Sequence, residues 1–261
     1  MDNTEVITVL SLCTGYGGLE LGLSRALENP LRVVAVEVEA YALANLVAKT
    51  EEGSLAVEAM WPDLRTFPAE RFRGCFDFVI AGYPCQPFSV AGKQKGTDDP
   101  RHLWPHIARI VQAVRPVWCF FENVPGHLTL GFPEVYRSLR DMGYKVEAGL
   151  YGTEELGEWH DRERLFILAH SGSSNGASWT RKMSVERQKI QGATKKQPPV
   201  VWCKNKGRFR NEPTEGYDTK PLLDRRMVRT RNRVDRLRLL GNGVVPQQAE
   251  KAFRCLYEAL K

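Results

Sequence analysis

The sequence predicts an α/β fold in which helices cover both faces of a mostly parallel sheet. Three observations carry that prediction. Short β-branched runs alternate with helix-period patterns from Ile7 to His170. The strand-like runs, Phe76–Ala81 above all, are strongly apolar, as strands buried on both faces are. A glycine-rich turn, Thr14-Gly15-Tyr16-Gly17-Gly18, directly follows the first strand pattern.

Taken in order, Ile7–Leu12 reads as a buried strand and Gly18–Leu27 as a helix. Arg32–Glu37 is a second strand, and a helix follows from Ala40 to Lys49. Ser54–Ala59 is the candidate third strand and Phe76–Ala81 the fourth. Leu103–Val114 has helical spacing, Val117–Phe121 is a fifth strand, and Pro133–Met142 is a helix. Strands over Tyr144–Leu150 and Arg164–Ala169 complete the series. The pattern stops at His170, where the polar stretch Ser171–Ala177 marks a boundary. Order returns near Leu237. Ala249, Phe253, Leu256 and Leu260 then share one face of a C-terminal helix with Pro246 in its first turn. The organisation expected is a catalytic and cofactor-binding domain over 1–170, a basic region over 171–234, and a closing segment over 235–261.

Composition narrows the function classes. At 261 residues and 43% hydrophobic, the chain suits one substantial core. No apolar run reaches the roughly 18 to 20 residues of a membrane helix, and the polar N-terminus does not read as a secretory signal. The expectation is a cytoplasmic protein that makes no membrane contact. Six cysteines without a C-x-x-C pair argue against a zinc site and offer no disulfide framework. Net charge is +6, yet Ser171–Val234 alone holds about 16 Lys and Arg against about 5 Asp and Glu. A neutral-to-acidic body joined to a basic segment suits a polyanion partner. On charge alone, a solvated insert explains the segment equally well.

Four local patterns carry chemistry. The glycine turn permits close approach of a ligand to the backbone, and Glu37, about 20 residues on, is placed to accept hydrogen bonds from ribose hydroxyls. A plain strand-to-helix turn remains the alternative, since the G-x-G-x-x-G spacing is absent. Next, Gly82-Tyr83-Pro84-Cys85-Gln86-Pro87-Phe88-Ser89 places Cys85 between two prolines beyond a buried strand. A thiol there needs electrostatic help to react as thiolate. Glu122, delivered by the apolar strand ending in Phe121-Glu122-Asn123-Val124, would have its pKa raised by burial and could hold a proton; capping the next turn is the plainer role. Arg162 and Arg164, at i and i+2 of an extended segment, point the same way and suit a planar ligand or a phosphate; a surface ion-pair cluster is the usual alternative.

In order and spacing these motifs, with Leu240-Gly241-Asn242-Gly243-Val244-Val245-Pro246, resemble the DNA (cytosine-5) methyltransferase family over about three quarters of the chain. The compact layout is similar to the small phage, prophage or bacterial members. The resemblance implies a Rossmann-like, S-adenosylmethionine-dependent methyltransferase fold with a small irregular target-recognition region. It implies that Cys85 attacks C6 of a flipped-out cytosine. Glu122 would bond N3 and the exocyclic amine, and Arg162 and Arg164 would hold the base O2 and favour the thiolate. Cofactor contacts are implied for Cys13, Thr14, Gly15, Tyr16, Gly17 and Gly18, for Glu37, Asp63, Leu64 and Pro84, and for Asn242, Gly243 and Val244. Ser89 matches a position against a DNA phosphate, and Arg229, Arg231 and Arg233 are the expected basic contacts to double-stranded DNA, bound by a monomer.

Three positions depart from the family pattern. Cys13 stands where an aromatic often packs on adenine, Val38 replaces a common Trp, and His160 replaces a usual Gln. Three other readings compete. A tRNA methyltransferase would use the same chemistry. A non-catalytic relative should have lost Cys85 or Glu122. A Cys–His hydrolase using His102, His106 or His127 would leave the donor site unexplained.

Overall fold

A computed structural model describes residues 5–84, 103–153, 162–172 and 243–261. Its elements run β1 (Ile7–Leu12), α1 (Gly18–Ala26), β2 (Leu31–Val36), α2 (Ala40–Glu51), β3 (Val57–Trp61), β4 (Phe78–Gly82) and α3 (Trp104–Val114). They continue with β5 (Trp118–Asn123), α4 (His127–Leu130), α5 (Phe132–Asp141), β6 (Lys145–Tyr151), β7 (Arg164–His170) and α6 (Pro246–Leu260). One sheet has the order β3-β2-β1-β4-β5-β7-β6. Its first five strands pair parallel, and β7 runs antiparallel to both β5 and β6. The mostly parallel, Rossmann-like sheet expected from the sequence is therefore present, with an antiparallel pair at one edge. Strand order reverses between β1 and β4, and folds of this kind bind ligands at the carboxyl ends of the strands beside such a switch point.

Alternation along each strand divides the core into two layers. Val9, Val33, Ile80, Phe120 and Phe166 face α1 and α6, where Leu23 and Phe253 meet them. Leu10, Val36, Val79, Phe121 and Ile167 face the other way, onto Ile107 and Ile110 of α3 and Leu139 of α5. Among the described residues, no helix is long and apolar enough to cross a membrane.

The expected third strand, Ser54–Ala59, begins later, at Val57. The amides of Ser54 and Leu55 are already committed to the carbonyl of Lys49 (2.9 and 3.2 Å), closing α2 around Gly53 at φ 73°. They are therefore unavailable to the ladder, which starts with Val33 opposite Val57 and ends with Val36 opposite Trp61.

The C-terminal helix is built into this core. Gly22 of α1 lets it approach: a Cβ there would lie 2.5 Å from the Ala249 Cβ and 2.7 Å from the Pro246 carbonyl oxygen. Gln248, fully buried, donates from Nε2 to the carbonyls of Tyr151 (2.6 Å) and Arg162 (2.7 Å), fastening α6 to β6 and to the start of β7. Gly22→Ala is expected to destabilise the chain by about 1–3 kcal/mol through overpacking against a helix that cannot yield locally. Urea denaturation of the variant and the parent checks this, and equal midpoints would contradict it.

Candidate active site

A cleft opens at the carboxyl ends of β1 and β4, lined by Ser11, Cys13, Thr14, Gly15, Tyr16, Gly18, Leu19, Glu20, Gly82, Gly243 and Val244. The turn after β1 shapes one wall. Cys13, Gly15 and Gly17 have φ of 53°, 59° and 84°, so the chain coils left-handedly through three alternate positions. Cys13 is the non-glycine residue among them and carries strain that its neighbours must hold in place. Gly18 permits the far end of the chain to close in, because a Cβ there would lie 2.1 Å from the Val244 carbonyl oxygen. Tyr16 donates its hydroxyl to that same carbonyl. Lys49 donates to the Tyr16 carbonyl and sits 4.6 Å from the centre of its ring.

Glu37 follows β2 directly and braces the turn. Its Oε2 accepts from the Gly15 amide (2.7 Å), and its Oε1 accepts from the amides of Val38 and Glu39 (2.8 Å each). Oε1 thus has both lone-pair directions taken, while Oε2 retains one for a further donor. Asp63 caps its own turn, accepting from the Arg65 amide at 2.9 Å. Leu64 beside it is buried, and Arg109 of α3 reaches the Leu64 and Phe67 carbonyls (3.4 and 3.2 Å). Desolvation, then the carboxylates of Glu37 and Asp63, push the Cys13 thiol up to about 12, so it stays protonated. Val38, adjacent to Glu37, is 71% exposed.

The second wall carries the charged groups. Glu122, near the end of β5, pairs with Arg164 at the start of β7, Nε to Oε1 at 3.0 Å. Burial pushes its carboxyl up to about 7, although Arg164 and Arg162 both oppose the shift. Gly82 of β4 leaves room beside it, since a Cβ there would sit 3.4 Å from Glu122 Oε2. Arg162 donates to the Gly243 carbonyl, and its guanidinium pKa is lowered, first by burial and then by Arg164. Arg164 therefore contacts Glu122 directly, while Arg162 acts on it through its charge.

Several residues that build this region have no such role in the sequence reading, where His127 figures only as a hydrolase histidine and Asn123 only within a motif. Asn123 donates from Nδ2 to the Tyr83 carbonyl (3.2 Å), pinning the chain just ahead of Pro84-Cys85. The Tyr83 hydroxyl and His127 Nε2 meet at 2.9 Å. Glu20 of α1 is fully buried against the hydroxyl of Ser11. A signal existed for Glu20, because an acid on the apolar face of a helix right after a ligand-type turn is out of place. Asn123 and His127 act through contacts 40 and 44 residues away, which no local pattern encodes. Pro84 is exposed at the end of a described stretch. Cys85, Ser89, His160, Arg229, Arg231, Arg233 and Asn242 lie outside the described residues.

The model of the C-5 cytosine-specific DNA methylase family matches residues 7–234. The chain is similar to the Type II methyltransferase M.NgoMIV of Neisseria gonorrhoeae, 34% identical over 178 residues, covering 66% of this chain and 54% of that protein. It is also similar to the Type II methyltransferase M.HgiBI of Herpetosiphon aurantiacus, 30% identical over 164 residues, covering 61% and 36%. The aligned part thus spans between about a third and about a half of these curated relatives' lengths. Among solved structures, the S. pombe Dnmt2 methyltransferase superposes with a TM-score of 0.52 at 23% identity, covering 70% of this chain and 57% of that one. A Spodoptera frugiperda DNMT2 variant gives a TM-score of 0.52 at 19% identity, covering 64% and 51%. At those identities the structures speak to the fold alone.

Proposed function

Because the chain belongs to the C-5 cytosine-specific DNA methylase family, we propose that it transfers a methyl group from S-adenosylmethionine to C5 of a flipped-out cytosine in double-stranded DNA, through a covalent Cys85–C6 adduct. The observation that carries this reading is the buried Glu122–Arg164 pair at 3.0 Å. A carboxyl held at about 7 can keep a proton at neutral pH and present it to a ring nitrogen. It stands on the strand next to β4, whose chain continues through Tyr83 and Pro84 into Cys85.

The cleft fits the proposed donor. Left-handed turns at Gly15 and Gly17 and the close approach at Gly18 present backbone to a ligand, and Glu37 stands where ribose hydroxyls would bond. Asp63 and Leu64 would take the adenine edge, and Cys13, Thr14, Tyr16, Pro84, Asn242, Gly243 and Val244 would enclose the rest. Bound there, S-adenosylmethionine supplies an electrophilic methyl on its sulfonium. The protein's own part is to activate the base. The Cys85 thiolate adds to C6, Glu122 supports N3 as negative charge enters the ring, and Arg162 and Arg164 hold O2 and favour the thiolate. Once C5 carries the methyl, its proton leaves and the Cys85–C6 bond breaks by elimination. Addition at C6 comes from above the ring face, so a stacked, paired cytosine cannot react and the base must leave the duplex.

DNA whose target cytosines carry fluorine at C5 tests the proposal, because no C5 proton remains to be lost after methylation. A denaturant-stable protein–DNA adduct that depends on S-adenosylmethionine is expected. Its absence, in the presence of methylation of ordinary DNA, would contradict the covalent route. Methyl incorporation into transfer RNA in preference to duplex DNA would overturn the substrate. For the region over 171–234, alanine at Arg229, Arg231 or Arg233 is expected to weaken DNA binding and reduce the slope of log K against log salt by about 1 per lost phosphate contact. A loss that does not vary with salt would contradict that role.

A further inference from the structure

We propose that Glu20, backed by Ser11, is the receptor for the α-ammonium group of the methyl donor. The inference rests on the donor reading above and assigns one end of the ligand to one side chain. Glu20 projects from the first turn of α1 and is 0% exposed, yet it lines the cleft together with Ser11, Tyr16 and Gly18. Its Oε1 accepts from the Ser11 hydroxyl. Its Oε2 is buried and has no hydrogen-bond partner among the described residues.

A carboxylate oxygen buried in this way costs free energy unless a donor reaches it. Among the described residues, none donates to Oε2. Lys49, the cation whose field acts on Glu20, is committed to the Tyr16 carbonyl and to the face of the Tyr16 ring. Without a cation in contact, burial pushes the Glu20 carboxyl up to about 7. A donor entering from the cleft would supply what is missing.

The chemistry of that donor can be narrowed. S-adenosylmethionine carries two cationic centres, but the sulfonium has no N–H and cannot satisfy an acceptor. The ammonium brings three N–H donors and a full charge, which makes the bond to a carboxylate charge-assisted. The ribose hydroxyls have Glu37 at the other side of the turn, whose Oε2 already holds the Gly15 amide. Glu20 is then left for the amino-acid end.

Titration calorimetry with the full chain tests the assignment. Two ligands are compared, S-adenosylmethionine and its analogue with hydrogen in place of the α-amine. Glu20→Gln preserves shape and an acceptor for Ser11. It is expected to weaken S-adenosylmethionine at least about tenfold while the desamino analogue binds parent and variant alike. Glu20→Asp, which keeps the charge on a shorter arm, should fall between them. Equal affinity of parent and Glu20→Gln for S-adenosylmethionine would overturn the assignment, as would equal losses for both ligands. A parent chain that binds neither ligand would overturn the donor reading itself, a result separable from any behaviour of the variants.

Discussion

Replacing Cys85 by serine is expected to abolish methyl transfer, lowering kcat at least about 10⁴-fold, while S-adenosylmethionine still binds within a fewfold of the parent. An alcohol is a far weaker nucleophile than a thiolate near neutral pH. Cys13 and Cys119 do not substitute. Cys119 is fully buried, with its thiol raised by that burial, and Cys13, although it lines the cleft, is held protonated up to about 12. The cleft meanwhile owes its shape to Glu37, Tyr16 and Val244, whose described hydrogen bonds run from the Gly15 amide to Glu37 and from the Tyr16 hydroxyl to the Val244 carbonyl. Methyl incorporation into duplex DNA and calorimetry with the cofactor separate the two effects. Turnover within about tenfold of the parent would end the covalent mechanism, and joint loss of turnover and cofactor binding would point to a folding role.

The fold was legible to the extent that its causes are local. Ile7, Val9, Leu10 and Leu12, interrupted only by the small Thr8 and Ser11, give a central strand at its observed bounds, because burial on both faces keeps the run nearly continuous in apolar residues. The third strand was misplaced because Leu55 and Val57 look alike in sequence, whereas the Leu55 amide is spent on the end of α2. Strand direction is not written in periodicity either. β7 lies between β5 and β6 and opposes both, and only the pairing of Glu122 with Phe166 and Gly149 with Phe166 reveals it. At the site, Glu122, Arg162 and Arg164 were readable because motif order singled them out, and the sheet does bring them together. Glu20 and Gln248 were not. Each is a polar residue on a helix, where the ordinary expectation is solvent, and what buries them comes from the tertiary approach of α1, α6 and the sheet.

Glu122→Gln is the second large effect, and it carries a pH signature that the cysteine variant lacks. The parent's kcat/KM should describe a bell, since that ratio reports groups of the free protein. Its acid limb follows formation of the Cys85 thiolate. Its alkaline limb follows loss of the Glu122 proton, which burial has moved from an ordinary 4.5 up to about 7. The amide in Glu122→Gln can still bond N3 but cannot yield a proton to it, so kcat/KM should fall about 10²–10⁴-fold and the alkaline limb near 7 should vanish. An alkaline limb that survives unchanged would assign it to another group and remove Glu122 from the chemistry. Stability gives an independent check with a defined sign. The folded pKa lies above the unfolded one, so this carboxyl's contribution is fully present below about 4.5 and is lost as pH rises through about 7. Glutamine has no such proton to lose. Relative to the parent, the variant should therefore gain stability between pH 5 and pH 8, even though it gives up the ion pair with Arg164. A parent-minus-variant difference that stays flat across that interval would mean the carboxyl is not raised, and with it would go the reason for expecting a protonated Glu122 to meet the base at neutral pH.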